Sequence, residues 1–111
     1  MELPRDAVLL RIFVEEGNEH DGEPLFRKIV LKARELGLAG ATVLRGPLGF
    51  GRASELHASG LFHPLTGASI VIEIVDAPDR IEAFIPDLQQ MVGDGLITLE
   101  RAEVLLYRPS S

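Results

Sequence analysis

Two stretches of the chain alternate strictly, as β-strands do, and carry apolar residues on both faces: Ala7–Glu15 and Ser69–Val75. One face of each strand is formed by Val8, Leu10, Ile12 and Val14, and by Ile70, Ile72 and Ile74. The opposite face carries Leu9, Arg11 and Phe13, and Val71 and Val75, with Glu73 as the only charged residue of the second strand. Because both faces are apolar, each strand must be covered on both sides.

Two segments have the apolar spacing of amphipathic helices. The first is predicted to run from about Glu23 to Leu36, with Asp21 as its acidic cap and Pro24 in its first turn, and Gly37 is expected to end it. Its apolar stripe is Leu25, Phe26, Ile29, Val30, Ala33 and Leu36. The second helix opens at Asp76-Ala77-Pro78, and its stripe is Ile81, Phe84, Ile85, Leu88, Met91 and Val92. Pro86 predicts a kink or a broken first turn.

The remaining segments complete an α+β order of βαββαβ. Ala39–Leu44 is predicted as a strand, with a bent continuation to Phe50 left open, and a long irregular segment extends from Gly46 to Gly67. After a turn at Gly93–Gly95, the last strand is predicted from Leu96 to Tyr107, interrupted near Glu100-Arg101. Right-handed crossovers then give a ferredoxin-like sandwich, a four-stranded antiparallel sheet with two helices on one face. The uncovered apolar face predicts a homo-oligomer.

Composition excludes several classes of function. A chain of 111 residues is expected to form a single domain, residues 1–111. Its net charge of −6 provides no basic surface for nucleic acid, and the absence of cysteine excludes disulfides, thiolate zinc sites and a cysteine nucleophile. The acidic, proline-containing start does not fit a signal peptide, and no apolar run approaches the ~20 residues of a membrane span. We therefore expect a cytoplasmic protein without membrane insertion.

Several motifs resemble those of the PII signalling proteins, which are trimeric ferredoxin-like regulators that bind adenine nucleotides between subunits. The motifs are Gly37-Leu38-Ala39-Gly40-Ala41-Thr42-Val43, Gly49-Phe50-Gly51-Arg52, Pro64-Leu65 before Ile72-Glu73-Ile74-Val75, and Gly93-Asp94-Gly95. With Gly22-Glu23-Pro24-Leu25 and Ala33–Gly46, the chain is identified as a member of the PII-like branch catalogued as domain of unknown function number one hundred and ninety. The resemblance covers nearly the whole chain.

The resemblance implies a non-enzymatic regulatory trimer. A small anionic effector, an adenine nucleotide, would bind between subunits and order the loop from about Phe50 to Pro64, which a partner such as a membrane transporter or channel would read. The effector-binding residues implied are Gly40, Thr42, Arg45, Gly46, Gly49, Phe50, Gly51, Arg52, Val75, Gly93, Gly95 and Arg108.

This chain also departs from the PII pattern. Leu96 stands where that pattern places a phosphate-binding lysine, the C-terminal arginine pair is reduced to Arg108, and Tyr107 is the only tyrosine and lies outside the loop. A triphosphate site loses much of its charge, and uridylylation of a loop tyrosine is not expected.

The glycine-rich segments have simpler interpretations. Gly46, Gly49 and Gly51 let backbone amides approach an anion, with Arg45 and Arg52 nearby, but they also suit a flexible turn. Without the resemblance, the Gly93–Gly95 segment is more typical of a plain tight turn, and because Asp94 would repel phosphate, any contact there would be made by the backbone.

A metal-binding or structural trimer is the alternative function. His57 and His63, with Glu55, offer nitrogen and oxygen ligands for zinc or copper, although their spacing matches no named metal signature. Ser54, Glu55 and His57 lack the context of a nucleophile elbow, so no enzyme is predicted.

Overall fold

The computed structural model describes residues 3–46 and 68–109, together with the backbone of two short strands between them. The elements, in chain order, are β1 (Asp6–Glu15), β2 (Glu19–His20), β3 (Glu23–Pro24), α1 (Leu25–Glu35), β4 (Thr42–Gly46), β5 (Leu48–Phe50), β6 (Leu56–Ala58), β7 (Ser69–Asp76), α2 (Pro78–Met91) and β8 (Leu96–Glu103). No helix within the described ranges is long and apolar enough to cross a bilayer.

The main sheet has four antiparallel strands in the order β4-β7-β1-β8. β1 and β7, the two strands predicted to be apolar on both faces, lie at its centre and pair from Val8 opposite Asp76 to Glu15 opposite Ser69. This is the predicted ferredoxin-like arrangement. α1 lies between β1 and β4 in the chain and α2 lies between β7 and β8, and in neither case are the two strands neighbours in the sheet.

The hydrophobic core lies between the helices and one face of the sheet. Its fully buried side chains are Leu10, Ile12, Leu25, Ile29, Ile72, Ile74, Ile81, Phe84 and Leu88. The strand residues in this set belong to the predicted face of β1 that contains Leu10 and Ile12 and to the predicted face of β7 that contains Ile72 and Ile74. The helix residues lie on the predicted apolar stripes. Burial of even-numbered positions in β1 and β7 therefore fixes which face of the sheet the helices cover.

The start of α1 differs from its prediction. Asp21 and Gly22 have φ values of 52° and 79°, and they form the two-residue turn of a hairpin in which His20 pairs with Glu23. Positive φ at both positions is what a tight hairpin turn of type I′ requires, so Asp21 cannot cap the helix. The residue before the helix is Pro24, which makes no side-chain cap bond.

The end of α1 follows its prediction. Gly37 has a φ of 75°, its N–H donates to the Arg34 carbonyl at 3.0 Å, and the Leu38 N–H donates to the Ala33 carbonyl at 3.1 Å. These two bonds form a Schellman motif, in which a residue with positive φ directly follows the helix. Glycine at this position is thus explained by its backbone conformation.

Four other features of the secondary structure differ from the predictions. β4 begins at Thr42 rather than Ala39, and the segment predicted to be irregular contains β5 and β6, which pair with each other. α2 is continuous through Pro86, so the broken first turn is not found. β8 is continuous through Glu100-Arg101 and ends at Glu103, because Glu100 pairs with Leu9 and Arg101 with Val8 in an unbroken ladder.

Candidate functional site

Three of the predicted effector residues meet where β4 begins beside β7. Thr42 lies opposite Glu73 in the ladder, so Val75 lies two residues further along β7, on the same face as Thr42 and toward Gly40. Diagonal neighbours of this kind are about 7–8 Å apart, close enough for one small ligand to touch both. We call Gly40, Thr42 and Val75 the β4–β7 corner.

The backbone that leads into this corner is held by a buried carboxylate. Asp76 is 0% exposed and is the only buried charged residue in the described part of the chain. Its Oδ2 accepts the Ala39 N–H at 2.8 Å, and its Oδ1 accepts the Ala77 N–H at 2.7 Å and the Arg80 Nε–H at 3.0 Å. The Arg80 guanidinium also donates to the Gly37 carbonyl. Asp76 therefore joins the end of β7, the start of α2 and the loop before β4.

The C-terminal tail, residues 104–109, reaches the same loop from the opposite edge of the sheet. The Val104 N–H donates to the Arg5 carbonyl at 2.8 Å, and the Tyr107 hydroxyl donates to the Ala39 carbonyl at 3.4 Å. Arg108, a predicted effector residue, follows Tyr107 directly and is exposed. Sequence reasoning did not assign Tyr107 or Asp76 to the site, and their contacts with Ala39 span 68 and 37 residues.

Arg45 and Gly46 lie at the other end of β4, where Gly46 is opposite Ser69. Arg45 is opposite Ile70, whose side chain is in the core, so it is on the helix-covered side of the sheet and not on the side of Thr42. Its guanidinium forms an ion pair with Glu16. An anion that binds to Arg45 must therefore compete with a carboxylate already in place.

Gly93 and Gly95 lie beside the opposite edge strand, β8. Three strand spacings of about 4.8 Å separate β8 from β4, so these glycines are roughly 14 Å from Gly46 in one protomer. A Cβ at Gly95 would lie 2.8 Å from the Phe13 carbonyl oxygen and 2.9 Å from Val92 Cγ1, whereas a Cβ at Gly93 would meet nothing within 4 Å. Close packing is therefore sufficient to explain Gly95, while Gly93 is not constrained in this way.

The other predicted residues fall in or near the β5–β6 hairpin. Gly49 is paired with His57 and Phe50 with Leu56, which establishes their backbone positions only. Gly51, Arg52 and the weak metal candidate His63 lie outside the described residues. Within residues 3–46 and 68–109, no group of three His, Asp or Glu side chains is arranged to hold a metal ion.

The face of the sheet away from the helices is apolar with a charged centre. We call it the open face, and its described apolar members are Leu9, Phe13, Leu44, Val71, Val75 and Leu96. Leu44 and Leu96 are 47% and 56% exposed, so the position of the expected phosphate-binding lysine carries an exposed apolar side chain.

Arg11 occupies the centre of the open face between two carboxylates. Its Nε donates to Glu73 at 2.8 Å and its Nη1 to Glu100 at 3.2 Å. The hydrogen bond to Glu73 is the main cause that raises the pKa of Arg11 above its ordinary value. Three strands are thus connected across the face by one guanidinium.

The sequence matches the family DUF190, described as "Uncharacterized ACR, COG1993", over residues 7–104. The chain belongs to this family. A UPF0166 protein from Aquifex aeolicus is 37% identical over 97 residues, which cover 87% of this chain and 91% of that protein. A UPF0166 protein from Methanocaldococcus jannaschii is 28% identical over 99 residues, covering 88% and 91%.

The DUF190 fold of this chain is also that of a PII-like protein. One similar structure is CPII, described as a nitrogen regulatory PII-like protein from Thiomonas intermedia K12 bound to ADP, AMP and bicarbonate. The TM-score is 0.61 with 16% sequence identity, and the match covers 89% of this chain and 88% of CPII. At this identity the likeness establishes the fold, which is the predicted PII-like ferredoxin-like sandwich.

Proposed function

We propose that this protein is a PII-like regulator that binds a small anionic effector, an adenine nucleotide, in clefts between the subunits of a homotrimer. The observation that carries the proposal is the division of the predicted effector residues between the two edges of one sheet. Gly46 lies in β4 and Gly95 precedes β8, roughly 14 Å apart. One protomer cannot bring both to the same phosphate.

A cyclic assembly removes this difficulty. In a head-to-tail ring, the β4 edge of one subunit faces the β8 edge of the next, and the contact repeats until the ring closes. The exposed apolar residues of the open face, among them Leu44 and Leu96, would be covered in the same step. The cleft between two edges would then contain the β4 edge of one subunit, from the β4–β7 corner to Gly46, and the Gly93–Gly95 turn of its neighbour.

The chemistry of the cleft favours a ligand with few charges. Leu96 offers no cation to a phosphate, and Arg45 is already paired with Glu16. Thr42 and Val75 present a hydroxyl and an apolar surface, which suits a base better than a polyphosphate. The binding of ADP, AMP and bicarbonate by CPII supports the choice of AMP, ADP and bicarbonate as the first ligands to test.

The role proposed is regulatory rather than catalytic, and cytoplasmic. Effector binding orders the loop from Phe50 to Pro64, and the two loop states differ in affinity for a partner such as a membrane transporter or channel. The ligand can shift the equilibrium between the two loop states only by as much as its binding free energies for those states differ.

Calorimetric titration and light scattering test the proposal together. We expect AMP or ADP to bind with one site per chain, ATP to bind more weakly, and light scattering to give three times the mass of one chain. No heat with any of the three nucleotides or bicarbonate, or a stable monomer, would refute it. Zinc or copper binding that disappears in His57→Ala would instead support the metal-binding alternative.

A further inference from the structure

Ala39 is the residue at which the C-terminal tail meets the β4–β7 corner. Its N–H donates to the buried carboxylate of Asp76 at 2.8 Å, and its carbonyl accepts the Tyr107 hydroxyl at 3.4 Å. The next residue along the chain is Gly40, which belongs to the corner. Both backbone polar groups of this residue are thus bonded by residues that are distant in sequence.

The backbone that leads to the Ala39 carbonyl is held from the protein side. Asp76 is fully buried and accepts hydrogen bonds from the loop before β4 and from the start of α2. The Arg80 guanidinium donates both to Asp76 and to the Gly37 carbonyl. Two peptides of the loop are therefore attached to the start of α2. Because a buried, charge-assisted network of this kind is rigid, the backbone up to the Ala39 Cα, from which the carbonyl that receives Tyr107 projects, is held in place.

The tail itself is attached more weakly. Leu105 and Leu106, between its two bonded points, are 84% and 64% exposed, so apolar packing of these side chains does not hold it. Its described attachments to the fold are the Val104 bond to Arg5 and the Tyr107 bond to Ala39, the second of which is near the long limit for a hydrogen bond. The tail is therefore held mainly at its two partly buried residues, Val104 and Tyr107.

We propose that Tyr107 is a positioning residue of the effector site, which brings Arg108 to the β4–β7 corner by docking on the Ala39 carbonyl. Consecutive Cα atoms are about 3.8 Å apart, so docking of the Tyr107 ring holds the Arg108 backbone beside the loop that leads into the corner. Arg108 supplies a fork that matches phosphate or carboxylate oxygens. Effector binding and tail docking then favour each other. This inference rests on the proposed function.

A double-mutant cycle tests the positioning role with AMP and ADP as probes. We expect Tyr107→Phe, which keeps the ring, to weaken binding about 2–10-fold and Arg108→Ala about 10-fold or more. The double variant should bind no more weakly than Arg108→Ala alone, because Tyr107 acts through Arg108. Arg101→Ala is the control, since it removes the same charge from an exposed position on β8.

Tyr107 also provides a direct readout of docking, because the chain contains one tyrosine and no tryptophan. We expect AMP to protect the Tyr107 fluorescence from a neutral quencher in the wild type but not in Arg108→Ala. Asp76→Asn should increase quenching without any ligand, since it releases the Ala39 peptide. Circular dichroism of each variant verifies that it is folded.

The outcomes separate this inference from the proposed function. If wild type binds AMP or ADP and the two single effects add, or Tyr107→Phe has no effect, the positioning role is overturned and the proposed function stands. If wild type binds no nucleotide, the proposed function and the role of Tyr107 in binding fall together. Equal quenching of wild type and Asp76→Asn would overturn the docking of Tyr107 on an Ala39 peptide fixed by Asp76.

Discussion

Asp76→Asn should destabilise the fold by much more than an ordinary surface substitution. The carboxylate is buried and accepts three hydrogen bonds, two at Oδ1 and one at Oδ2. An asparagine has only one acceptor oxygen. If that oxygen faces Ala77 and Arg80, its NH₂ group faces the Ala39 N–H, and two donors oppose each other.

The magnitude follows from the groups left without a partner. One buried N–H without an acceptor costs about 1–3 kcal/mol. The Arg80 side chain is 36% exposed, so solvent screens its lost ion pair, which adds only about 0–1 kcal/mol. The sum is about 1–4 kcal/mol, which at about 4 °C per kcal/mol for a domain of this size lowers Tm by roughly 4–16 °C.

The assay is urea or thermal unfolding at a fixed protein concentration, because the Tm of an oligomer depends on concentration. Asp79→Asn is the matched control: it makes the same chemical change in the first turn of α2, at an exposed position. We expect the control to cost less than about 1 kcal/mol, mainly through the helix dipole. If the two variants lose the same free energy of unfolding, the reasoning about the buried carboxylate is refuted.

Three further predictions use other parts of the structure. Gly95→Ala should cost about 1–3 kcal/mol of unfolding free energy in urea because its Cβ would lie 2.8 Å from the Phe13 carbonyl, while Gly93→Ala changes it by less than about 0.5 kcal/mol; equal values would contradict the close packing. Phe13→Asp on the open face should give monomers in light scattering with unchanged circular dichroism, and an unchanged mass would place the interface elsewhere. Arg45→Ala should weaken AMP or ADP binding by less than the contribution of a charge-assisted hydrogen bond, about 1.5–3 kcal/mol, because Glu16 already occupies the guanidinium, and Glu16→Gln, which frees it, should strengthen binding; calorimetry that finds neither change removes Arg45 from the site.

Apolar periodicity was enough to predict the sheet and the faces of both helices. The alternation in β1 and β7 reflects a real requirement, since a shift by one residue would turn Leu10, Ile12 and Ile72 out of the core. Local sequence signals gave a wrong prediction where the same residues are typical of two different structures. Asp21 before Glu23-Pro24 is typical of a helix start, and a hairpin turn followed by α1 uses the same residues.

The candidate site was harder to predict because its bonds connect distant residues. Asp76 read as part of a helix start, and nothing near it in sequence indicates that it accepts the Ala39 N–H. The sequence predicts Tyr107 in the last strand, but that strand ends at Glu103. The contact of the Tyr107 hydroxyl with the Ala39 carbonyl depends on the path of the tail beyond the strand. The resemblance to the PII proteins indicated Gly40, Thr42 and Val75 one at a time, and the ladder brings them together.

Assembly and effector binding must be coupled if the cleft uses two edges. A ligand that contacts β4 of one chain and the Gly93–Gly95 turn of the next binds the ring and not the separated chain, so by mass action it stabilises the ring. The same free energy makes the ring bind the effector more tightly than the monomer does. The open face sets a cost that this coupling must overcome, because Arg11, Glu73 and Glu100 carry a net charge of −1 in each chain, and a ring would bring these charges together. Like charges oppose association, and an effector that binds between subunits offsets this cost.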